Sequence, residues 1–128
     1  MLLSALSYRV ITGISLGCLV AVLSVPRLRF DREVHNFGRI LQNKPVLAVF
    51  RFFNDGSEPL VVYSVEPACG CTTVQFTREM VLKGHSGSIS VTYNAATLNA
   101  FEKQIVVRSN SVTPVRVLYI RGTVFGLQ

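Results

Sequence analysis

The chain has 128 residues, 49% of them hydrophobic, with 13 Lys and Arg against 7 Asp and Glu for a net charge of +6. Once the first thirty or so residues are set aside, one domain near the roughly 100-residue size of an immunoglobulin-like sandwich is the only sensible count. The basic residues are dispersed, which excludes a phosphate-tracking nucleic-acid surface and leaves a solvated positive exterior or weak attraction to anionic lipid.

Residues Val10 to Val25 (VITGISLGCLVAVLSV) carry no charge, with Arg9 before them and Arg27 after. Sixteen residues is slightly short for a spanning helix, which needs about 17–25, but Ala5, Leu6 and Tyr8 extend the flank enough for a tilted span. A cleaved leader would need small residues at its cut, for which Val22 and Ser24 are weak candidates. A retained anchor needs none, and the run stops on Arg27, so the anchor is favoured. Lipidation at Cys18 is disfavoured, because Ser15 and Leu16 reverse the order of the usual box and the apolar run continues past the cysteine. The expectation is a single-pass protein of a bacterial inner membrane, anchored through residues 10–25 with its domain on the extracytoplasmic side, or else a secreted or periplasmic one. Residues 1–29 form the anchor or signal segment with a short linker, and residues 30–128 form the domain.

After Pro26 the pattern becomes short β-rich runs separated by turn residues. Phe30 to Phe37, ending on Gly38, reads as a first edge-like strand. Val46 to Phe53 is apolar on both faces except at Arg51, which predicts a buried central strand. Asn54-Asp55-Gly56-Ser57 is a turn whose residues tolerate left-handed backbone. Leu60 to Val65 and Thr72 to Phe76 are the next strands, followed by a loop over Lys83 to Gly87. Ile89, Val91 and Tyr93 alternate with Ser88, Ser90 and Thr92, a half-buried strand. Asn94 to Asn99 turns the chain into a strand whose Phe101, Ile105 and Val107 share a face, with Lys103 at its open end. Ser109 to Ser111 turns again, and Pro114 to Phe125 is the final strand. Seven antiparallel strands in two stacked sheets follow, an all-β immunoglobulin-like sandwich behind one N-terminal hydrophobic helix. The absence of Trp removes the Trp and inter-sheet cysteine pair of antibody domains.

Catalytic patterns are missing. There is no phosphate-cradling glycine loop, no HExxH, no Gly-x-Ser-x-Gly and no close pair of carboxylates. The one motif that stands apart is Cys69-Gly70-Cys71-Thr72. Cysteines two apart can pair across a small ring that closes almost no loop, which favours redox exchange over stabilisation. They can bind Cu(I) through two thiolates, with His35 or His85 as a third ligand, whereas zinc wants four ligands the chain barely supplies. They can also simply pack, with Gly70 making a tight bend. Neither His is more than an exposed polar residue on the pattern around it.

In order, Asn36-Phe37-Gly38, Phe50-Arg51-Phe52-Phe53-Asn54-Asp55-Gly56, Pro59-Leu60, Cys69-Gly70-Cys71-Thr72, Gly84 to Tyr93, Val107-Arg108-Ser109-Asn110 and Ile120 to Val124 resemble the bacterial family called domain of unknown function 1573. The resemblance implies a sandwich akin to the hydin and major-sperm-protein group, usually exported or membrane-bound, and carries no established activity. It makes Cys69, Gly70, Cys71 and Thr72 a family hallmark. The family's Gly after the first strand and its Pro-Gly pair before Ile89 are replaced here by Asn43 and Lys83.

Two functions follow. The first is a non-enzymatic module, without cofactor, that binds an envelope protein through a sheet edge or end loops. The second is a redox or copper-handling module acting through Cys69 and Cys71.

Overall fold

The computed structural model describes residues 24–127. The expected N-terminal helix over residues 10–25, with Cys18 in it, lies outside them apart from Ser24 and Val25. Eight strands occur: β1 (Leu28–Phe30), β2 (Val34–Leu41), β3 (Val46–Asn54), β4 (Val62–Pro67), β5 (Thr72–Phe76), β6 (Ser86–Tyr93), β7 (Asn99–Ser109) and β8 (Val115–Phe125). They form two four-stranded sheets, β1-β3-β6-β5 and β2-β8-β7-β4. Among the described residues no helix is long and apolar enough to cross a membrane.

The two sheets close on one core. Phe50, Phe52, Ile89, Val91 and Tyr93 from the first sheet meet Ile105, Val107, Leu118, Ile120 and Val124 from the second. Burying each such side chain contributes about 1.5–3 kcal/mol, which is what holds two half-apolar sheets face to face. Gly122 leaves no room for a side chain: a Cβ there would sit 2.8 Å from the Gly38 carbonyl oxygen and 3.1 Å from the Phe101 ring. Phe101 in turn stacks on Tyr93 at 4.1 Å.

Four sequence expectations are corrected. The strand expected from Phe30 to Phe37 is two strands in opposite sheets, which raises the count from seven to eight. The break falls at the exposed Asp31, Arg32 and Glu33, where the Asp31 N–H donates to the Arg51 carbonyl and its carboxylate accepts the Arg51 N–H, ending β1. Second, β2 crosses to the other sheet and runs parallel to β8, so the sandwich is not wholly antiparallel. Gly38 does not end β2 but sits inside it at φ 73°, where the register slips between Asn36 and Arg39. Third, β3 is buried on one face only. Ala48, Phe50, Phe52 and Asn54 point inward, while Leu47 and Val49 are 59% and 39% exposed. Fourth, the turn after β3 uses no left-handed residue. Gly56 is required there because a Cβ would collide with the Val25 carbonyl and come within 2.6 Å of the Arg27 nitrogen.

Smaller shifts are of boundary only: the sandwich begins at Leu28, β4 spans Val62–Pro67, and β6 begins at Ser86. Leu60 stands before β4 as an isolated bridge to Val81. Asn43 stands at φ 62°, a left-handed conformation that asparagine tolerates better than most residues.

Asn54 is a fully buried hub. Its Oδ1 accepts from the Arg27 and Gly56 N–H groups, and its Nδ2 donates to the carbonyls of Glu58 and Val81. Its own main chain donates to the His85 carbonyl and accepts from the Gly84 N–H. Nearby, the Asn110 side chain accepts from Val61 and donates to Pro59, and the Ser111 hydroxyl accepts from Leu28. These ties gather Val25–Arg27 and the loops after β3, β5 and β7 at one end of the sandwich. The loops after β2, β4 and β6 lie at the other.

Candidate functional site

Cys69 and Cys71 occupy the corner where β4 leaves one sheet and β5 begins the other. They are joined as a disulfide, Cα atoms 5.2 Å apart, and both are partly exposed while Gly70 is exposed. Thr72, the first residue of β5, is buried beneath them, its hydroxyl 3.6 Å from the Cys71 sulfur and 3.9 Å from that of Cys69. The backbone is held independently of the sulfurs: the Thr72 N–H donates to the Cys69 carbonyl at 3.4 Å and the Asn94 N–H to the Cys71 carbonyl at 3.0 Å. Chemically, the corner offers a pair of sulfurs on a fixed backbone, open to solvent on one side and with a hydroxyl on the other.

The histidines are not part of it. His85 is exposed at the opposite end, where its carbonyl accepts from Asn54. His35 lies in β2, at the far edge of the β2-β8-β7-β4 sheet from β4, with its ring edge-on to Phe37 at 4.5 Å. Burial, and secondarily the positive charge of Arg32, hold its imidazole below the usual range. Neither is brought to the sulfurs, so the third copper ligand expected from sequence is absent from the corner. Among the described residues no three His, Cys, Asp or Glu side chains come together as a metal site. Sulfurs tied in a disulfide also lack the thiolate a soft metal requires.

A second feature lies on the exposed outer face of β3. In register, Leu47 opposes Thr92, Val49 opposes Ser90 and Arg51 opposes Ser88, and across the other side of β6, Thr73 opposes Thr92 and Gln75 opposes Ser90. The outward residues of β6 are therefore all small hydroxyls between taller neighbours. They floor a shallow valley along the outer face, walled by exposed Leu47 and Val49 on one side and by the β5 edge on the other. The alternation of Ser88, Ser90 and Thr92 gave the floor in sequence; only the strand order supplies the walls.

A profile for the family described as "Protein of unknown function (DUF1573)" matches residues 28–124. No curated protein matches the sequence. Among solved structures, a protein of unknown function from Porphyromonas gingivalis W83 superposes with a TM-score of 0.69 at 15% identity, over 83% of this chain and 51% of that one. The chain thus spans about half the length of that relative. PapD-like domain 7 of human CEP192 gives 0.66 at 7% identity, covering 83% of this chain and 90% of the other. A C. elegans major-sperm-protein family member, WR4, gives 0.55 at 9%, over 77% and 97%. A protease is also among the neighbours: VesB of Vibrio cholerae gives 0.60 at 16%, over 77% of this chain but 31% of its own. Identities this low establish the fold and carry no activity across.

Proposed function

The chain belongs to DUF1573, a family whose description assigns no activity, and from that premise we propose that it is a non-enzymatic module, membrane-tethered or exported, that binds another protein in the bacterial envelope. The observation that carries this is the outer valley: two exposed aliphatic residues, Leu47 and Val49, beside a hydroxyl floor and the open backbone edge of β5. An edge strand with unpaired N–H and C=O groups takes up an extended segment of a partner, and adjacent apolar pockets select its side chains. The uncharged run over residues 10–25 supports a place outside the cytoplasm.

A photoreactive amino acid at Leu47, with another at the exposed Thr123 on the opposite sheet as reference, tests the reading in a bacterial host. A discrete protein adduct from position 47 that is absent from position 123 supports it. Equal yields from both positions remove it.

One observation favours a second reading, a thiol-exchange module: the Cys69–Cys71 pair is partly exposed rather than buried in the core. Two thiols counted in residues 24–128, which leave out Cys18, after treatment with mild reductant support it, and a pair that stays closed under strong reductant sets it aside.

A further inference from the structure

We propose that the Asn54 end of the sandwich is a membrane-docking surface, with Met80, Leu82 and Val112 dipping into the interfacial layer of the bilayer. The inference rests on reading residues 10–25 as an anchor, and it adds an orientation and a set of lipid-facing residues to that reading.

Three observations converge. First, there is no slack between the apolar run and the sandwich. The carbonyl of Val25, the last residue of the run, accepts the Ser57 N–H at 3.0 Å; that of Pro26 accepts from Val112 at 3.0 Å; that of Arg27 accepts from Asp55 at 2.9 Å. Gly56 packs so closely on this segment that no side chain fits between. One extended residue spans at most about 3.6 Å, so wherever the apolar run ends, these loops lie within a few ångströms of it.

Second, the loops at this end expose apolar side chains that the core has no use for. Met80 is 63% exposed, Leu82 50% and Val112 53%. Met80 and Leu82 flank Val81, which is buried and bridged to Leu60, and Val112 is tied to Pro26, so their backbones are fixed. Val115, at the start of β8, adds a fourth at 46%. Single exposed apolar residues are ordinary on a protein surface, and others stand elsewhere here, at Leu47, Leu98 and Leu127. What distinguishes this group is that it surrounds the point where an uncharged segment joins the fold.

Third, exposed Arg27, Arg78 and Lys83 stand among these residues. Glu58 and Glu79 share the surface, and Asp55 is held by Arg29 at 2.6 Å. Apolar tips with basic side chains behind them match a phospholipid interface, where acyl chains take the tips and headgroup phosphates the cations.

The sequence contains no Trp, so a single introduced indole is an unambiguous depth reporter. The full chain carrying Leu82→Trp, Val112→Trp or Leu98→Trp is reconstituted into phosphatidylethanolamine–phosphatidylglycerol vesicles with and without acyl-chain-brominated lipid. Leu98 lies at the far end of the sandwich and serves as reference. The expected result is blue-shifted emission and loss of fluorescence to bromine for Leu82→Trp and Val112→Trp, with Leu98→Trp unchanged. All three substitutions are at exposed positions, and Met80→Trp repeats the measurement at a fourth. If the chain floats with the vesicles but the indoles at 82 and 112 are unquenched, or are quenched no more than that at 98, docking is overturned and the anchor stands. A chain that does not float overturns both.

Discussion

Both ends of the sandwich are closed by backbone bonds, and they differ in how far side chains reinforce them. At the end where the chain arrives, polar side chains reach across the sequence to satisfy backbone groups: the buried Asn54 ties Arg27 to Val81, the half-buried Asn110 ties Pro59 and Val61, and the buried Ser111 takes Leu28. At the other end backbone mostly bonds backbone, Gln42 to Phe125, Asn43 to Ala95 and Asn94 to Cys71, with left-handed Asn43, Ala95 and Asn99 setting the turns. An end held by side chains depends on the identity of a few residues, and one held by backbone tolerates changes of side chain. The Cys69–Cys71 pair sits at the second end, so opening it is expected to leave the fold intact.

The largest test of that contrast is Asn54→Ala. It takes the acceptor from the buried Gly56 N–H and the partly buried Arg27 N–H and the donor from the Glu58 carbonyl, while the Val81 carbonyl keeps its bond from the Leu60 N–H. Each such loss costs about 1–3 kcal/mol where water does not enter, so a total near 2–4 kcal/mol is expected from urea unfolding of residues 24–128. A loss below about 1 kcal/mol would mean that the hub is replaceable by water and that the ends do not differ as described.

Next in size is Gly56→Ala, measured against Gly70→Ala. The new methyl at 56 meets backbone of Val25, Pro26 and Arg27, which cannot rotate away as a side chain would, and overpacking of this kind costs about 1–3 kcal/mol. At Gly70 a Cβ meets nothing within 4 Å and the backbone is not left-handed. That change should stay within about 0.5 kcal/mol of the parent. Equal effects at the two glycines would break the comparison.

Much of the fold was legible because its strands are separated by strong turn residues and alternate cleanly; β5, β7 and β8 fall close to where their patterns put them. The division of the first strand was not, because Phe30, Val34 and Phe37 continue one apolar rhythm through a sheet switch that only the pairing of β1 with β3 and β2 with β8 reveals. Asn54 and Gly56 read as turn-formers by residue type, yet one is a buried hub and the other a point of close approach, distinctions that depend on segments far away in sequence. Of the candidate site, the cysteine motif announces itself. What surrounds it does not: the Thr72 hydroxyl beneath the sulfurs and the remoteness of His35 and His85 are consequences of topology.

Apart from the Gly70→Ala reference, the smallest expected effect is at the cysteines themselves. A crosslink stabilises by limiting the unfolded chain, and with only one residue between the partners the chain-entropy estimate is roughly 1.5 kcal/mol at most. In the folded state the bonds from Thr72 to Cys69 and from Asn94 to Cys71 keep the corner in place without the sulfurs, and serine hydroxyls in their stead would still lie beside that of Thr72. Cys69→Ser combined with Cys71→Ser should therefore cost less than Asn54→Ala in the same urea titration, and its transition should keep the same slope, since the surface exposed on unfolding is unchanged. A double variant that unfolds as readily as Asn54→Ala would make the disulfide a structural staple, and would transfer to this end the dependence on particular side chains argued above for the other.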